Sequence, residues 1–316
     1  MMGYELVLKA IRNKKAFLFE FRTDGLVFIY DGIVWEKLDN PDLPALDEWL
    51  PTFVDQLTPD IKMKHKNQAS WRVELDYSGE NFICSYSHHY KSLRISRAPS
   101  KALNLKEWGF LENQIKSLSQ PGQITLITGP QMSGKSTLQK LLMKSSEIGG
   151  VLPVVKEPGS LIPSPRIWYF GDEKNIPIRE VLDLSLYGQS VCLAFEALDL
   201  EACLLRFFEH IPTVFQDRVI QFLTVVETRL LPGVEQLVVP FSSFYQLRYC
   251  PQIMLDKKDW NALLTWNEGS KENFNVRTLN QALLQGVIRR KIEMQTAFSA
   301  STFPEGLDLL LKRLGV

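Results

Sequence analysis

Ile124-Thr-Leu-Ile-Thr-Gly129-Pro130-Gln131-Met132-Ser133-Gly134-Lys135-Ser136-Thr137 is the stretch on which the reading of this chain turns. Ile124 to Thr128 is a short apolar, β-branched run of the kind that forms a buried strand, and Leu138 to Met143 is a good helix-forming segment. Between them stands Gly-x-x-x-x-Gly-Lys-Ser in full, so the motif sits in the strand, loop, helix context that gives it meaning. The two glycines let the backbone from Gly129 through Gly134 curl until successive N–H groups converge on a phosphate at a helix N-terminus, where the helix dipole also favours an anion. In that arrangement Lys135 reaches the β- and γ-phosphates, the Ser136 hydroxyl ligates Mg²⁺, and Thr137 adds a contact to the α-phosphate. The alternative is a plain glycine turn with an exposed lysine.

Working outward, apolar strand candidates at Val151 to Val155, Ile167 to Phe170 and Val191 to Phe195 alternate with helical segments at Ile178 to Tyr187 and Leu200 to His210. Strands alternating with helices predict an α/β domain with a doubly wound parallel sheet. Upstream, Leu105, Trp108, Leu111 and Ile115 keep helical spacing before a Pro121-Gly122 turn. Downstream, Leu231-Pro232-Gly233 marks a turn, Leu237 to Phe244 reads as a strand, and helical spacing dominates from Thr278. Asn267 to Asn275, NEGSKENFN, reads as a mobile loop.

The first hundred residues have another texture. Ala16 to Arg22, Leu26 to Tyr30, Ser70 to Leu75, Asn81 to Tyr86 and Ser92 to Arg97 are aromatic and β-branched segments punctuated by Gly, Asp or Pro. Leu46, Trp49, Phe53 and Leu57, within Pro44 to Leu57, make one helical face among them. The expectation is a smaller α+β domain over residues 1–100 followed by an ATP-binding domain with C-terminal helices over residues 101–316. A length of 316 residues accords with two domains.

Composition narrows the partners. Thirty-six Lys plus Arg balance thirty-six Asp plus Glu, which removes the electrostatic reason to expect nucleic acid. No apolar run has the length of a membrane span or a signal peptide, so a cytoplasmic location is expected. Cys84, Cys192, Cys203 and Cys250 are far apart and read as core thiols rather than a disulfide or zinc framework. His88-His89 reads as a pair of strand-end histidines, since no cysteine or acidic cluster at ligand spacing accompanies it.

Hydrolysis needs a carboxylate at a neighbouring strand end to hold Mg²⁺ and orient water. Ile167-Trp-Tyr-Phe-Gly171-Asp172-Glu173 supplies two, with Asp172 the first candidate and Glu173 the second; helix N-terminal acids are the competing reading. Leu184 to Gln189, LSLYGQ, reads as helix and turn.

The order of these pieces resembles the motor ATPases of type IV pili and secretion systems, most of all the twitching-motility retraction branch. Leu103 to Leu142 is similar to the family's helix, turn, strand and Walker A passage, and Ser164 to Asp172 to its Walker B segment. Gly188 to Asp199, GQSVCLAFEALD, is similar to its His box, Thr228-Arg-Leu-Leu-Pro232 to its QRLLP, and Thr278-Leu-Asn-Gln-Ala-Leu283 to its TLDQAL. The resemblance implies a PAS-like N-terminal domain, a RecA-like C-terminal domain, and ATP with Mg²⁺. It also implies a homo-hexamer or a mixed ring with related motors, acting on an inner-membrane pilus or secretion platform protein.

Departures from the family pattern accompany it. Glu157, in Lys156-Glu157-Pro158-Gly159-Ser160, is the one residue able to stand for the family's acidic box, and Asp172 replaces the Walker B glutamate. The two His-box histidines fall on Gln189 and Glu196. Of the arginine-rich strand pair, Lys91, Arg94 and Arg97 remain as cations for a neighbouring subunit's site. Two readings follow: a working motor, or a subunit that binds ATP without turnover and regulates active relatives.

Overall fold

The structure is a computed structural model of the chain and describes residues 3–13, 18–31, 35–38, 43–97, 104–118, 120–145, 167–170, 178–235, 238–251, 254–255, 258–260, 262–263 and 276–315. It divides into two compact units, Met1–Leu103 with Leu231–Val238, and Asn104–Leu230 with Val239–Val316.

In the first unit the chain runs α1 (Gly3–Asn13), β1 (Leu18–Arg22), β2 (Val27–Tyr30), β3 (Trp35–Lys37), α2 (Leu46–Asp55), α3 (Pro59–Lys66), β4 (Trp71–Tyr77), β5 (Glu80–Ser87) and β6 (Ser92–Arg97). The strands pair antiparallel in the order β3-β2-β1-β6-β5-β4. Phe82, Cys84 and Tyr86 alternate inward along β5 and meet Leu93 and Ile95 of β6 and Phe19 and Phe21 of β1. Trp49 and Phe53 of α2 close this core, with Trp49 edge-on to Phe21 at 5.4 Å between ring centres. Tyr4, Val7, Leu8 and Ile11 turn one face of α1 to the same core. The five strand segments and the α2 face read from the sequence are present; α1, α3 and β3 were not anticipated.

The second unit runs α4 (Glu112–Leu118), β7 (Ile124–Gly129), α5 (Lys135–Ser145), β8 (Ile167–Phe170), α6 (Ile178–Leu186), β9 (Ser190–Glu196), α7 (Leu200–Glu209), α8 (Thr213–Phe222), β10 (Leu223–Pro232), β11 (Val238–Ser242), β12 (Phe244–Gln246), β13 (Val276–Arg277), α9 (Leu279–Ile288), α10 (Met294–Ala300) and α11 (Pro304–Arg313). Its sheet has the order β13-β12-β10-β7-β9-β8, with β11 paired to β10. β10, β7, β9 and β8 are mutually parallel, while β12 and β13 add antiparallel. The sheet is therefore mixed, a correction to the parallel expectation at one side only: after β10 the chain turns back and runs beside it as β11 and then β12, interrupted at Ser243, whose N–H donates to the Glu227 carbonyl at 2.9 Å, with no crossover helix between β10 and β11.

Ile124, Leu126, Leu193, Phe195, Leu223 and Val225 form one face of that sheet and pack against Leu204 and Phe207 of α7 and Val219 and Ile220 of α8. Asp199 starts α7 by accepting the Ala202 N–H at 2.8 Å, and Thr278 with Gln281 forms a capping box on α9. The helical spacing from Leu105 yields a helix only from Glu112. Gly109 breaks it with φ +78°, and a Cβ there would lie 2.5 Å from Arg277 Nη1. Among the described residues no helix is long and apolar enough to cross a membrane. Val151 to Val155 and Asn267 to Asn275 lie outside the described residues.

Candidate nucleotide site

All six residues of β7 are buried, and the strand lies between β9 and β10. It delivers Gly129 to the end of the sheet, where Pro130 to Gly134 turn the chain into α5. Gly129 has φ +150°, and a Cβ on it would come within 2.4 Å of Ser133 Oγ and 2.6 Å of the Thr228 carbonyl oxygen. Gly134 has φ +89°, and its Cβ would meet Trp108 at 2.7 Å and Leu230 at 3.0 Å. Both glycines are thus required twice over, by dihedral angle and by space. The loop's fold is a cradle that any side chain at these points would fill.

Lys135 is buried, with Nζ donating to the carbonyls of Gly129 at 3.0 Å and Pro130 at 2.9 Å. The ammonium is held over the mouth of the loop rather than projecting into water as a plain glycine turn would have it. Ser136 and Thr137 are exposed on the first turn of α5, Gln131 and Met132 are exposed on the loop, and Met132 takes φ +63°. A polyphosphate fits these residues: backbone N–H groups at a helix start, a cationic side chain, and hydroxyls one and two residues further on.

β10 braces the loop from beside. Thr228 Oγ1 donates to the Thr128 carbonyl at 3.0 Å and lies 2.9 Å from Ser133 Oγ, a hydroxyl pair that ties the loop to its neighbouring strand. The residues flanking Thr228 face the other way. Arg229 donates from Nη2 to Glu227 Oε1 at 2.8 Å and to the Leu198 carbonyl at 2.7 Å, and from Nη1 to the Thr228 carbonyl at 2.9 Å. It thereby fastens the turn after β9 to β10. Glu227 is wholly buried, and its Oε2 has no hydrogen-bond partner among the described residues. Burial raises its carboxyl pKa, and Asp199 adds to the rise, against the opposing pull of Arg229. In the sequence Thr228 to Pro232 shows only a likeness to QRLLP, which assigns no role to Thr228 or Arg229. A charged pair two residues apart inside an apolar strand was the available signal.

Of the two positions aligned with the family's His box, the structure brings one to the loop. Glu196 closes β9 in register with Gly129, is exposed, and offers its carbonyl to Arg206 Nη1 at 2.8 Å. Gln189 stands just before the other end of that strand. Arg206 lies over the Phe195 ring, 4.8 Å from its centre. Asp172, Glu173 and Glu157 lie outside the described residues; β8, which leads toward Asp172, ends at Phe170 and pairs with β9.

The cations belong to the first unit, and two are engaged there. Arg94 Nε donates to Glu20 Oε2 at 2.7 Å and its guanidinium lies 5.9 Å from the Trp35 ring centre. Arg97 pairs with Glu80 at 3.0 Å. Lys91 is exposed at the β5–β6 turn with φ +46°. His88 follows β5, and its Nε2 lies 3.2 Å from the His65 carbonyl. Among the described residues no group of three or more metal-ligating side chains is assembled. The four cysteines are buried free thiols, each with its pKa pushed up to about 12 by burial.

No protein-family model matches the chain, and no curated protein matches it. Solved structures do. The Legionella pneumophila ATPase DotB superimposes with a TM-score of 0.59 at 13% identity, covering 94% of this chain and 95% of that one. The pilus retraction motor PilT with bound ADP gives 0.54 at 16% identity, over 98% and 99% of the two chains. The Yersinia pseudotuberculosis DotB ATPase gives 0.58 at 11% identity, over 94% and 92%. The likeness is one of fold, along nearly the whole chain, to these two DotB ATPases and to the PilT retraction motor.

Proposed function

We propose that this chain is a P-loop ATP-binding protein of the type IV pilus and secretion motor kind, taking Mg²⁺-ATP at Gly129 to Thr137. The observation that carries this is the phosphate loop itself: Gly129 and Gly134 leave no space for a side chain, and Lys135 is held at the loop mouth. On nucleotide binding the Lys135 ammonium exchanges two loop carbonyls for phosphate oxygens, a charge-assisted replacement that strengthens the contact. Ser136 would ligate Mg²⁺, which would screen the polyphosphate charge. That PilT was solved with bound ADP agrees with nucleotide binding by a chain of similar fold.

In the motor reading, turnover drives movement of a PAS-like first domain against a RecA-like second one. This happens in a homo-hexamer or mixed ring in the cytoplasm, acting on an inner-membrane platform protein and not on nucleic acid. Asp172 is then the carboxylate that orients water, with Glu173 and Glu157 as substitutes. The second reading, an ATP-binding subunit that regulates active relatives, is favoured by particular residues. Glu196 puts a carboxylate beside Gly129, and Arg94 and Arg97 are occupied by Glu20 and Glu80 of their own unit.

Steady-state phosphate release with Mg²⁺ on the parent and on Asp172→Asn separates the two. The motor reading expects turnover in the parent, abolished in the variant with binding retained. A variant turning over at the parental rate moves the role to Glu173 or Glu157, and a parent that binds without release establishes the regulatory subunit.

A further inference from the structure

At the end of the second unit's sheet away from the phosphate loop lies a groove of about 640 Å³. Its floor includes Pro121 and Gly122, just before β7, and Gly188, just before β9, so it opens at the strands' N-terminal ends. Two helices wall it. α6 presents Arg179, Leu182, Asp183 and Leu186. From the other side α8 presents Phe215, Arg218, Val219 and Phe222. Both sets follow i, i+3, i+4, i+7, the spacing of a single helical stripe. Leu182 and Val219 pack into the core beneath the groove, while the outer apolar residues of the two stripes stay exposed. Here Leu186 is 48% exposed, Phe215 43% and Phe222 37%, and beside them Tyr187 and Val214 are about 80% exposed. Exposed apolar residues in one contiguous patch mark an interaction surface, whereas scattered ones do not.

The charge on the groove is one-sided. Arg179 and Arg218 line it against one carboxylate, Asp183, among the described residues. Among the described residues no carboxylate holds either arginine. The same face of a second copy would carry the same positive excess, which disfavours symmetric self-pairing. Each stripe spans about two turns, about 10 Å at 1.5 Å per residue, so the missing wall has the dimensions of a short helix lying between α6 and α8.

We propose that this groove docks an amphipathic helix of a partner protein, with apolar anchors at i, i+3 or i+4 and i+7 and acidic residues on its flanks. The inference is independent of the nucleotide reading, because no groove residue belongs to the phosphate loop.

The test uses the full chain and two labelled synthetic 14-residue helices, one with leucines on one face and glutamates on both flanks, the other with every glutamate replaced by lysine. Fluorescence anisotropy is expected to show the acidic helix binding at least tenfold tighter than its lysine twin, with the advantage shrinking as salt rises. Arg179→Glu combined with Arg218→Glu should reverse that preference while leaving the thermal midpoint within a few degrees of the parent. Equal binding of the two helices, or an unaltered preference in the charge-reversed protein, overturns the proposal. So does sedimentation showing a parental oligomer that Phe215→Asp dissociates, since the groove would then belong to a second copy.

Discussion

Each unit buries a glutamate on a strand, and the two are held oppositely. Glu20, on β1, is 5% exposed and has an arginine on each carboxylate oxygen, Arg22 at 2.8 Å and Arg94 at 2.7 Å. Glu227, on β10, is fully buried with Arg229 on one oxygen and, among the described residues, nothing on the other. Burial pushes both carboxyls up. For Glu20 the hydrogen bonds and charges of Arg22 and Arg94 outweigh that and leave its pKa lowered; for Glu227 burial together with Asp199 wins, and its pKa is raised. Deeper burial, the nearby Asp199 and a single arginine together give Glu227 the opposite sign from Glu20. The first unit buries its glutamate beneath two half-exposed arginines; the second encloses one, with a buried arginine, as part of the brace around the loop.

The largest effect expected from this contrast is at Arg229. Arg229→Ala removes the one cation from a wholly buried carboxylate and frees the Leu198 carbonyl, so a loss of about 3–5 kcal/mol is expected in denaturant unfolding. Adding Glu227→Gln to that variant should restore much of the loss, and a double variant no more stable than the single would show that the charge is not the cause.

Gly134→Val comes next. Its side chain would strike Trp108 and Leu230 on a backbone with φ +89°, and a destabilisation of about 1–3 kcal/mol is expected together with lost ATP binding. Wild-type stability in this variant would mean that the loop is not fixed as described.

Arg94→Ala should cost no more than about 1 kcal/mol, because the Arg94 side chain is 42% exposed and solvent screens the pair. Its value lies in the pH profile. A lowered folded pKa means that the Glu20 contribution is present above the ordinary value near 4.5 and is lost as pH falls through the folded pKa. The raised Glu227 works in reverse, its contribution being present below 4.5 and lost as pH rises through its folded pKa. Acid titration of unfolding should therefore weaken the parent through Glu20, and Arg94→Ala should flatten that limb. An unchanged slope would contradict the two-arginine assignment.

The smallest effect is expected at His65, whose Nδ1 accepts from Trp71 Nε1 at 3.1 Å. Burial first and the neighbouring His88 second lower its pKa, so the neutral ring's contribution is present above about 6.5 and lost as pH falls through the folded pKa. A His65 ring titrating by NMR at or above 6.5 would contradict that contact.

Much of this was legible in the sequence, for identifiable reasons. β7 and β9 are apolar on both faces because they lie inside a parallel stack, and that continuous run is visible in ITLIT and VCLAF. β5 is legible for the opposite reason, since Phe82, Cys84 and Tyr86 alternate with partly exposed residues. Gly129 and Gly134 stand out because the motif admits no other residue there. α1 carries the same kind of signal, with Tyr4, Val7, Leu8 and Ile11 at helical spacing. β12 and β13 are three and two residues long, too short for periodicity to register. The brace by Thr228 and Arg229 joins residues about 100 and 31 positions apart in sequence, and no local pattern encodes such a partnership.

Calorimetric titration of Mg²⁺-ATP into the parent and into Lys135→Ala tests the nucleotide site most directly. The parent should bind saturably at one site per chain. The variant should lose at least a hundredfold in affinity, about 2.7 kcal/mol, with its unfolding midpoint in denaturant retained. Equal affinity in the two proteins would contradict the assignment of Gly129 to Thr137 as the nucleotide site.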